Sequence, residues 1–257
     1  MNIIICPDSE QVGVTCAQKI TELSSHIGPK VVLGVATGSS PLATYQELAI
    51  KVHTGQLDLS QASAFALDEY VGLAEDHPES YHDIIRRTVT EPLGLDKARV
   101  QVPDGRPDGL STTGLRYETA IRAAGGVDIQ ILGIGTNGHI GFNEPTSSLT
   151  SRTRVMTLTE STRHDNARFF ANLDEVPYYS VTQGLGTIME ARHIFLIATG
   201  QAKAKAIAAI VEGPVTAFWP GSILQMHDSA TIVVDEAAAS ELVLSNYYKW
   251  VQANPPG

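Results

Sequence analysis

The stretch Val31-Val-Leu-Gly-Val-Ala-Thr-Gly-Ser-Ser-Pro41 decides the fold class. Val31–Ala36 is short and near-continuously apolar, as a strand covered on both faces must be, and such strands belong to parallel sheets. A Gly/Ser/Thr loop follows, and Pro41 suits the first turn of a helix whose pattern lasts to Gly55 at a C′ position. Outward from this unit the alternation repeats. Asn2–Cys6, Ala64–Leu67, Val127–Ile134, His193–Thr199 and Thr231–Val234 read as strands, several apolar on both faces. A helix starts at Asp8, a cap with Gln11 three residues on, and runs to about Gly28. Further helical patterns cover Ser80–Leu93, Ser111–Ala124, Gln201–Glu212 and Glu236–Val251. The expectation is an α/β fold: a doubly wound, mostly parallel, Rossmann-like sheet with helices on both faces. No internal repeat, charge block or linker divides residues 1–257, so one domain is expected, with the Pro-Pro-Gly end as a frayed tail.

Composition narrows the partners. The 257 residues are 43% hydrophobic and 18% charged, enough to bury a sizeable core. Lys plus Arg number 18 against 28 Asp plus Glu, a net charge of −10, which argues against binding nucleic acid or an anionic membrane. A small anionic substrate remains compatible, provided that a cleft gathers positive groups and backbone N–H donors. The N-terminus lacks a basic region and its apolar run is short for a signal peptide. The longest apolar run, Ala206–Val211, is far below a membrane span. Two cysteines, Cys6 and Cys16, build neither a disulfide framework nor a Cys-rich metal site and read as core thiols. A cytoplasmic location is expected.

Ligands of doubly wound sheets bind outside the carboxyl ends of the strands. The loops after Ala36, Leu67, Ile134 and Thr199 are therefore the ones to inspect. Gly34–Pro41 combines free N–H groups, small residues and a helix N-terminus, the makings of an anion site. It is not a Walker A loop, since no Gly-Lys-Ser/Thr follows. A plain βα turn with Ser39 or Ser40 as helix cap fits it equally. Ala66-Leu-Asp-Glu-Tyr-Val-Gly-Leu73 places two acids at a strand end. If the backbone is still extended there, Asp68 and Glu69 point to opposite sides and only one faces a given ligand. An Asp with its ordinary pKa of ~3.9 is a weak base, so a catalytic role requires burial to raise it. The alternative is a solvated loop with Asp68 bonding nearby amides.

Gly133-Ile-Gly-Thr-Asn-Gly-His-Ile-Gly-Phe-Asn-Glu-Pro145 contains G-x-G-x-x-G after a strand, with Glu160 downstream as the acid a dinucleotide fingerprint wants. The fingerprint also requires a helix to open at the glycines, and Gly141, Pro145 and the polar His139, Asn143 and Glu144 interrupt one. The nicotinamide reading fails on that context. What remains is an imidazole, a carboxylate and an amide (His139, Glu144, Asn137), suited to proton exchange near neutral pH. His139 and Glu144 lack a second His or a Cys nearby, so no zinc site is expected. Taken alone, His139 also fits a hydrogen-bonded structural residue.

Together these segments resemble the glucosamine-6-phosphate deaminases, aldose–ketose isomerases of sugar phosphates that also release ammonia. The resemblance runs nearly end to end, through Gly34–Pro41, Leu67–Leu73, His77-Pro-Glu-Ser-Tyr81, Gly133–Pro145, Ser147–Arg154, Arg163–Phe170, Val181–Thr187 and Val211-Glu-Gly213. Asp-Glu-Tyr-Val-Gly-Leu plus Gly-His-Ile-Gly-Phe-Asn-Glu-Pro separates the chain from the related 6-phosphogluconolactonases and from sugar-sensing regulators. A regulator would also need a DNA-binding module, and the strand signal begins at residue 2. The resemblance implies that Asp68 moves the C2 proton to C1, and that His139 opens the ring with help from Glu144 and Asn137. It assigns Arg168 and Lys203 to the substrate phosphate, with backbone N–H groups around Thr37, Gly38, Ser39 and Ser40. Spacing alone does not single out either cation. It further implies no metal or other cofactor, a mobile lid at about 150–185, and a small-molecule substrate as the partner. Self-association is left open, because the family ranges from monomers to hexamers.

Two departures stand out. Asn137 occupies a position where well-studied bacterial members carry Asp. An amide orients His139 but cannot share its charge, so its help is positional. In allosteric hexameric members, N-acetylglucosamine 6-phosphate binds between subunits through a segment matching Ser148–Thr157. Ser148 and Arg154 are retained, but Met156 replaces the phosphate-binding Lys, so weak or absent activation is expected.

Overall fold

The structure, a computed structural model, describes residues 1–254; the Pro-Pro-Gly tail expectation lies outside them. In chain order the elements are β1 (Asn2–Cys6), α1 (Ser9–Ile27), β2 (Val32–Val35), α2 (Leu42–His53), β3 (Ser63–Ala66) and β4 (Asp68–Tyr70). They continue with α3 (Tyr81–Ile85), β5 (Val100–Gln101), α4 (Leu110–Ala123), β6 (Ile129–Leu132), β7 (Arg154–Thr157), α5 (Glu160–Asn166) and β8 (Tyr179–Thr182). The last are α6 (Leu185–Ile188), β9 (His193–Ala198), α7 (Ala204–Val211), β10 (Ala230–Asp235) and α8 (Ser245–Ala253).

The apolar strands pair in parallel as β1-β10-β9-β6-β2-β3-β5. Their side chains alternate between two cores. Ile3, Ile5, Leu132, Leu196 and Val234 face one helical layer, while Ile4, Leu33, Ile131, Ile197 and Val233 face the other. This is the α/β Rossmann-like sheet expected from the sequence. From the centre, β2 leads outward to β3 and β5, whereas β6 leads the other way to β9, β10 and β1. The loops after β2 and β6 therefore diverge and leave a crevice at the carboxyl edge.

Caps set several helix limits. Asp8 Oδ1 accepts the Gln11 N–H at 2.8 Å to start α1, and Gly55 follows α2 with φ 72°. Neither Ser39 nor Ser40 caps α2, whose N-cap is Pro41 with no side-chain bond, so the expected serine cap does not form, while the segment is the βα turn between β2 and α2. The expected helix at Ser80–Leu93 is α3 followed by a π-helical turn, Arg86–Thr90. The helix expected from Glu236 starts only at Ser245. Upstream, Asp235 captures the Ala238 N–H and Glu212 captures those of Val243 and Leu244, so the chain turns instead.

A second, antiparallel sheet, β4-β8-β7, has no counterpart in the sequence reading. It continues the chain leaving β3 and joins it to residues 150–185, which fold as β7, α5 and β8. Among the described residues no helix is long and apolar enough to cross a membrane.

Candidate active site

Asp68 leaves the carboxyl end of β3 directly into β4, with extended backbone paired to Thr182. Its neighbour therefore points the other way. Glu69 turns to α3, where its carboxylate accepts the N–H groups of Tyr70 (2.8 Å), Tyr81 (2.9 Å) and His82 (2.8 Å). Asp68 is only 6% exposed, so the solvated-loop reading does not hold. Among the described residues no donor reaches its carboxylate. Burial pushes its pKa well above the usual carboxylate range, with the adjacent Glu69 charge as a smaller contribution. That is the burial a basic role requires.

The β6 loop opens no helix at its glycines, as the interrupted fingerprint requires. Instead it folds back on itself, with the Gly135 N–H donating to the His139 carbonyl at 2.9 Å. The imidazole lies flat against this turn: a Cβ on Gly135 would begin 2.3 Å from His139 Cε1. Gly141 brings the same loop to Asp68, since a Cβ there would stand 3.6 Å from Asp68 Oδ2. Asn137 Oδ1 accepts the His139 backbone N–H at 3.2 Å and its amide donates to Glu144 Oε2 at 2.8 Å. His139 Nδ1 stands 3.6 Å from the same Oε2 and has no hydrogen-bond partner among the described residues. Glu144 Oε1 accepts the Thr159 N–H at 3.1 Å, which ties the loop to α5. Burial raises the Glu144 pKa, but His139 and the donors from Thr162 and Thr159 outweigh it and hold it at about 2. Glu144 is thus a fixed negative charge beside the imidazole.

The β2 loop and the β9 loop complete the edge. The backbone N–H groups of Thr37, Gly38, Ser39 and Ser40 donate to nothing among the described residues. Lys203 follows β9 in the turn Gln201–Lys203, which leads into α7. It is half-buried and forms no ion pair among the described residues. Burial lowers its pKa, Asp165 raises it and Arg168 lowers it again, so the two cations lie within electrostatic reach of each other. Arg168 is exposed and rests over the Phe169 ring, 4.7 Å from its centroid. Strands β2 and β9 flank β6, so their loops are about 10 Å apart at the usual strand spacing.

One wall of the site was not anticipated. Tyr70, Tyr81 and Phe142 pack at centroid distances of 4.9–5.8 Å, and Tyr81 stacks on Phe142. Asn166 of α5 donates to the Tyr70 hydroxyl at 3.0 Å. Tyr70 at a strand end was the one available signal, but nothing in the spacing brings it to Tyr81 at the start of α3 or to Phe142 in the β6 loop.

The fold and this edge define a doubly wound α/β protein that carries a buried acid and an imidazole–carboxylate pair on adjoining loops at the carboxyl edge of its sheet. The chain belongs to the glucosamine-6-phosphate isomerase/6-phosphogluconolactonase family, whose model matches residues 7–233. It is 53% identical over 257 residues to the glucosamine-6-phosphate deaminase of Streptomyces coelicolor, covering 100% of this chain and 98% of that one. It is 54% identical over 250 residues to the enzyme of that name from Mycolicibacterium smegmatis, covering 97% and 95%. The solved structure of a monomeric glucosamine-6-phosphate deaminase superposes with a TM-score of 0.91 at 38% identity, covering 94% of this chain and 100% of that one. The 6-phosphogluconolactonase of Trypanosoma cruzi, at 20% identity and a TM-score of 0.77 over 94% and 97% of the two chains, shares the fold.

Proposed function

We propose that the protein converts glucosamine 6-phosphate and water to fructose 6-phosphate and ammonia. The observation that carries this reading is the convergence of buried Asp68 with the His139–Glu144 pair on adjoining loops. In the closed sugar, C2 is not next to a carbonyl and its proton is not acidic, so the ring opens first. His139 moves the anomeric proton to the ring oxygen, and Glu144 stabilises the imidazolium formed on the way. Asn137 holds both in place. Asp68 then takes the C2 proton to give an enolamine and returns a proton at C1. Water adds to the resulting C2 iminium and ammonia leaves. Residues 150–185 act as the lid, closing Arg168 onto the substrate. The bland alternatives are lactone hydrolysis and binding without turnover. Incubation with glucosamine 6-phosphate and an ammonia assay separates them: only the deaminase releases ammonia.

The phosphate is assigned to Thr37, Gly38, Ser39, Ser40, Arg168 and Lys203. Lys203 stands at the start of α7, where the helix dipole opposes a positive charge, and burial opposes it further. A bound dianion offsets both. Arg168→Ala and Lys203→Ala are each expected to weaken phosphate-dependent binding by roughly 1.5–3 kcal/mol, the worth of a charge-assisted hydrogen bond. Comparing KM for glucosamine 6-phosphate with that for glucosamine checks this, and an undiminished preference for the phosphorylated sugar in both variants contradicts it.

The effector segment bears on regulation. Arg154 donates to Asn143 Oδ1 at 2.9 Å and Ser147 Oγ at 3.2 Å, and Met156 lies two residues on, on the same face of β7. A phosphate bound there would find a thioether where a cation is needed, losing a contact of ~1.5–3 kcal/mol against couplings of typically ~1–3 kcal/mol. Hyperbolic substrate dependence is expected with and without N-acetylglucosamine 6-phosphate. A several-fold drop in half-saturation on adding it refutes this.

A further inference from the structure

Lys203 reaches its place through a peptide unit that is held from the neighbouring strand. Gly200 has φ 86° and ψ 153°, a region that side-chain-bearing residues avoid. Its carbonyl accepts the Lys203 N–H at 3.0 Å, and its own N–H lies 3.0 Å from each carboxylate oxygen of Asp235. Asp235 is the last residue of β10 and is 8% exposed. Because β10 runs parallel to β9 with Val234 opposite Ala198, Asp235 stands level with the point where the Gly200 loop departs. Its Oδ1 also accepts the Ala238 N–H at 2.7 Å. The carboxylate is therefore fixed at both ends, to the turn after its own strand and to the loop after the next one.

Such a clamp answers a physical problem. Lys203 carries its charge at the positive end of α7, in a half-buried position and without an ion pair among the described residues. Left to itself, the loop would gain by swinging the ammonium into water. We propose that Asp235 is a positioning residue for the substrate phosphate, fixing the Gly200 peptide and through it the place where Lys203 presents its ammonium. The inference rests on the assignment of Lys203 to the phosphate.

Steady-state kinetics on the full chain test it. Asp235→Ala is expected to raise KM for glucosamine 6-phosphate about tenfold, to change kcat by less than about threefold, and to erode the preference for phosphorylated over unphosphorylated glucosamine. Because Asp235 acts through Lys203, the Asp235→Ala/Lys203→Ala double variant is expected within about twofold of Lys203→Ala alone. Should the alanine variant not fold, Asp235→Asn keeps one acceptor for Gly200, and a KM rise of about threefold with unchanged melting temperature supports the clamp. A wild-type KM in whichever variant folds overturns the proposal. So does an equal loss for phosphorylated and unphosphorylated sugar, or a further tenfold loss in the double variant, on the order expected of independent roles. If Lys203→Ala itself leaves the phosphate preference intact, the phosphate assignment falls and the clamp with it. A selective Lys203→Ala beside an unaffected Asp235→Ala sinks the clamp alone.

Discussion

Asp68→Asn is expected to lower kcat for glucosamine 6-phosphate by ~10²–10⁴, the usual weight of a general base, with little change in binding. The substitution preserves shape in a site where no donor among the described residues reaches the carboxylate, so no hydrogen bond is lost. Burial is the principal reason that the Asp68 pKa is raised, with Glu69 adding to it. A base works only when deprotonated, so kcat should climb as pH rises through that elevated pKa, and the residual activity of the variant should lack this limb. The linkage to stability has the opposite sign. A carboxyl whose folded pKa lies above its unfolded one binds the proton more tightly in the folded state, so stability falls as pH rises between the two values. Above that window the ionised Asp68 costs stability, and the neutral amide removes the cost. The variant should therefore melt no lower than the wild type at neutral pH while being nearly inactive. Retention of more than about a tenth of wild-type kcat would remove Asp68 from the role of base.

How much of this was legible depends on where the information sits in the chain. Six of the seven strands of the large sheet are readable because burial on both faces demands an apolar run, as in Ile3–Cys6 and Ile194–Ala198. The edge strand β5, two residues long and partly exposed, shows no such run and was not expected. The small sheet is not readable either. Asp68–Tyr70, Arg154–Thr157 and Tyr179–Thr182 mix polar and apolar residues and are strands only because each finds the others, pairings such as Asp68 with Thr182 lying far apart in sequence. The false helix start at Glu236 has a similar cause, for Glu212 takes the Val243 and Leu244 N–H groups from 31 and 32 residues away. At the site, Asp68, His139 and Glu144 are visible as reactive residue types on carboxyl-edge loops. The destination of Glu69 is hidden, because it depends on the N-terminus of α3 arriving beside β4. Arg168 and Lys203 look like any surface cations until their lack of ion-pair partners among the described residues is seen, and the resemblance alone singles them out. Asp235 carries no motif at all, and its importance comes from strand register.

His139→Gln is expected to lower kcat/KM for the cyclic substrate by ~10²–10⁴, while the affinity for an open-chain amino-alditol phosphate changes by less than about threefold. The imidazole is the group in the cluster whose chemistry lets it both accept and return a proton. Glu144, held at about 2, stays ionised throughout and can only stabilise the imidazolium. Asn137, bonded to Glu144 and to the His139 N–H, orients without titrating. Glutamine fills similar space and keeps hydrogen-bonding capacity toward Glu144, but takes up no proton. Ring opening should therefore fail while the pocket keeps its shape. An alditol has no ring to open, so its binding reads that shape directly, through Asp68, the aromatic wall and the phosphate contacts. Packing alone gives a different outcome. The ring lies against Gly135 and 6.2 Å from the Phe142 ring, and if its purpose were to support that wall, the alditol would lose affinity in step with the loss in turnover. A separation of the two measurements assigns His139 to proton transfer, and parallel losses assign it to the architecture of the pocket.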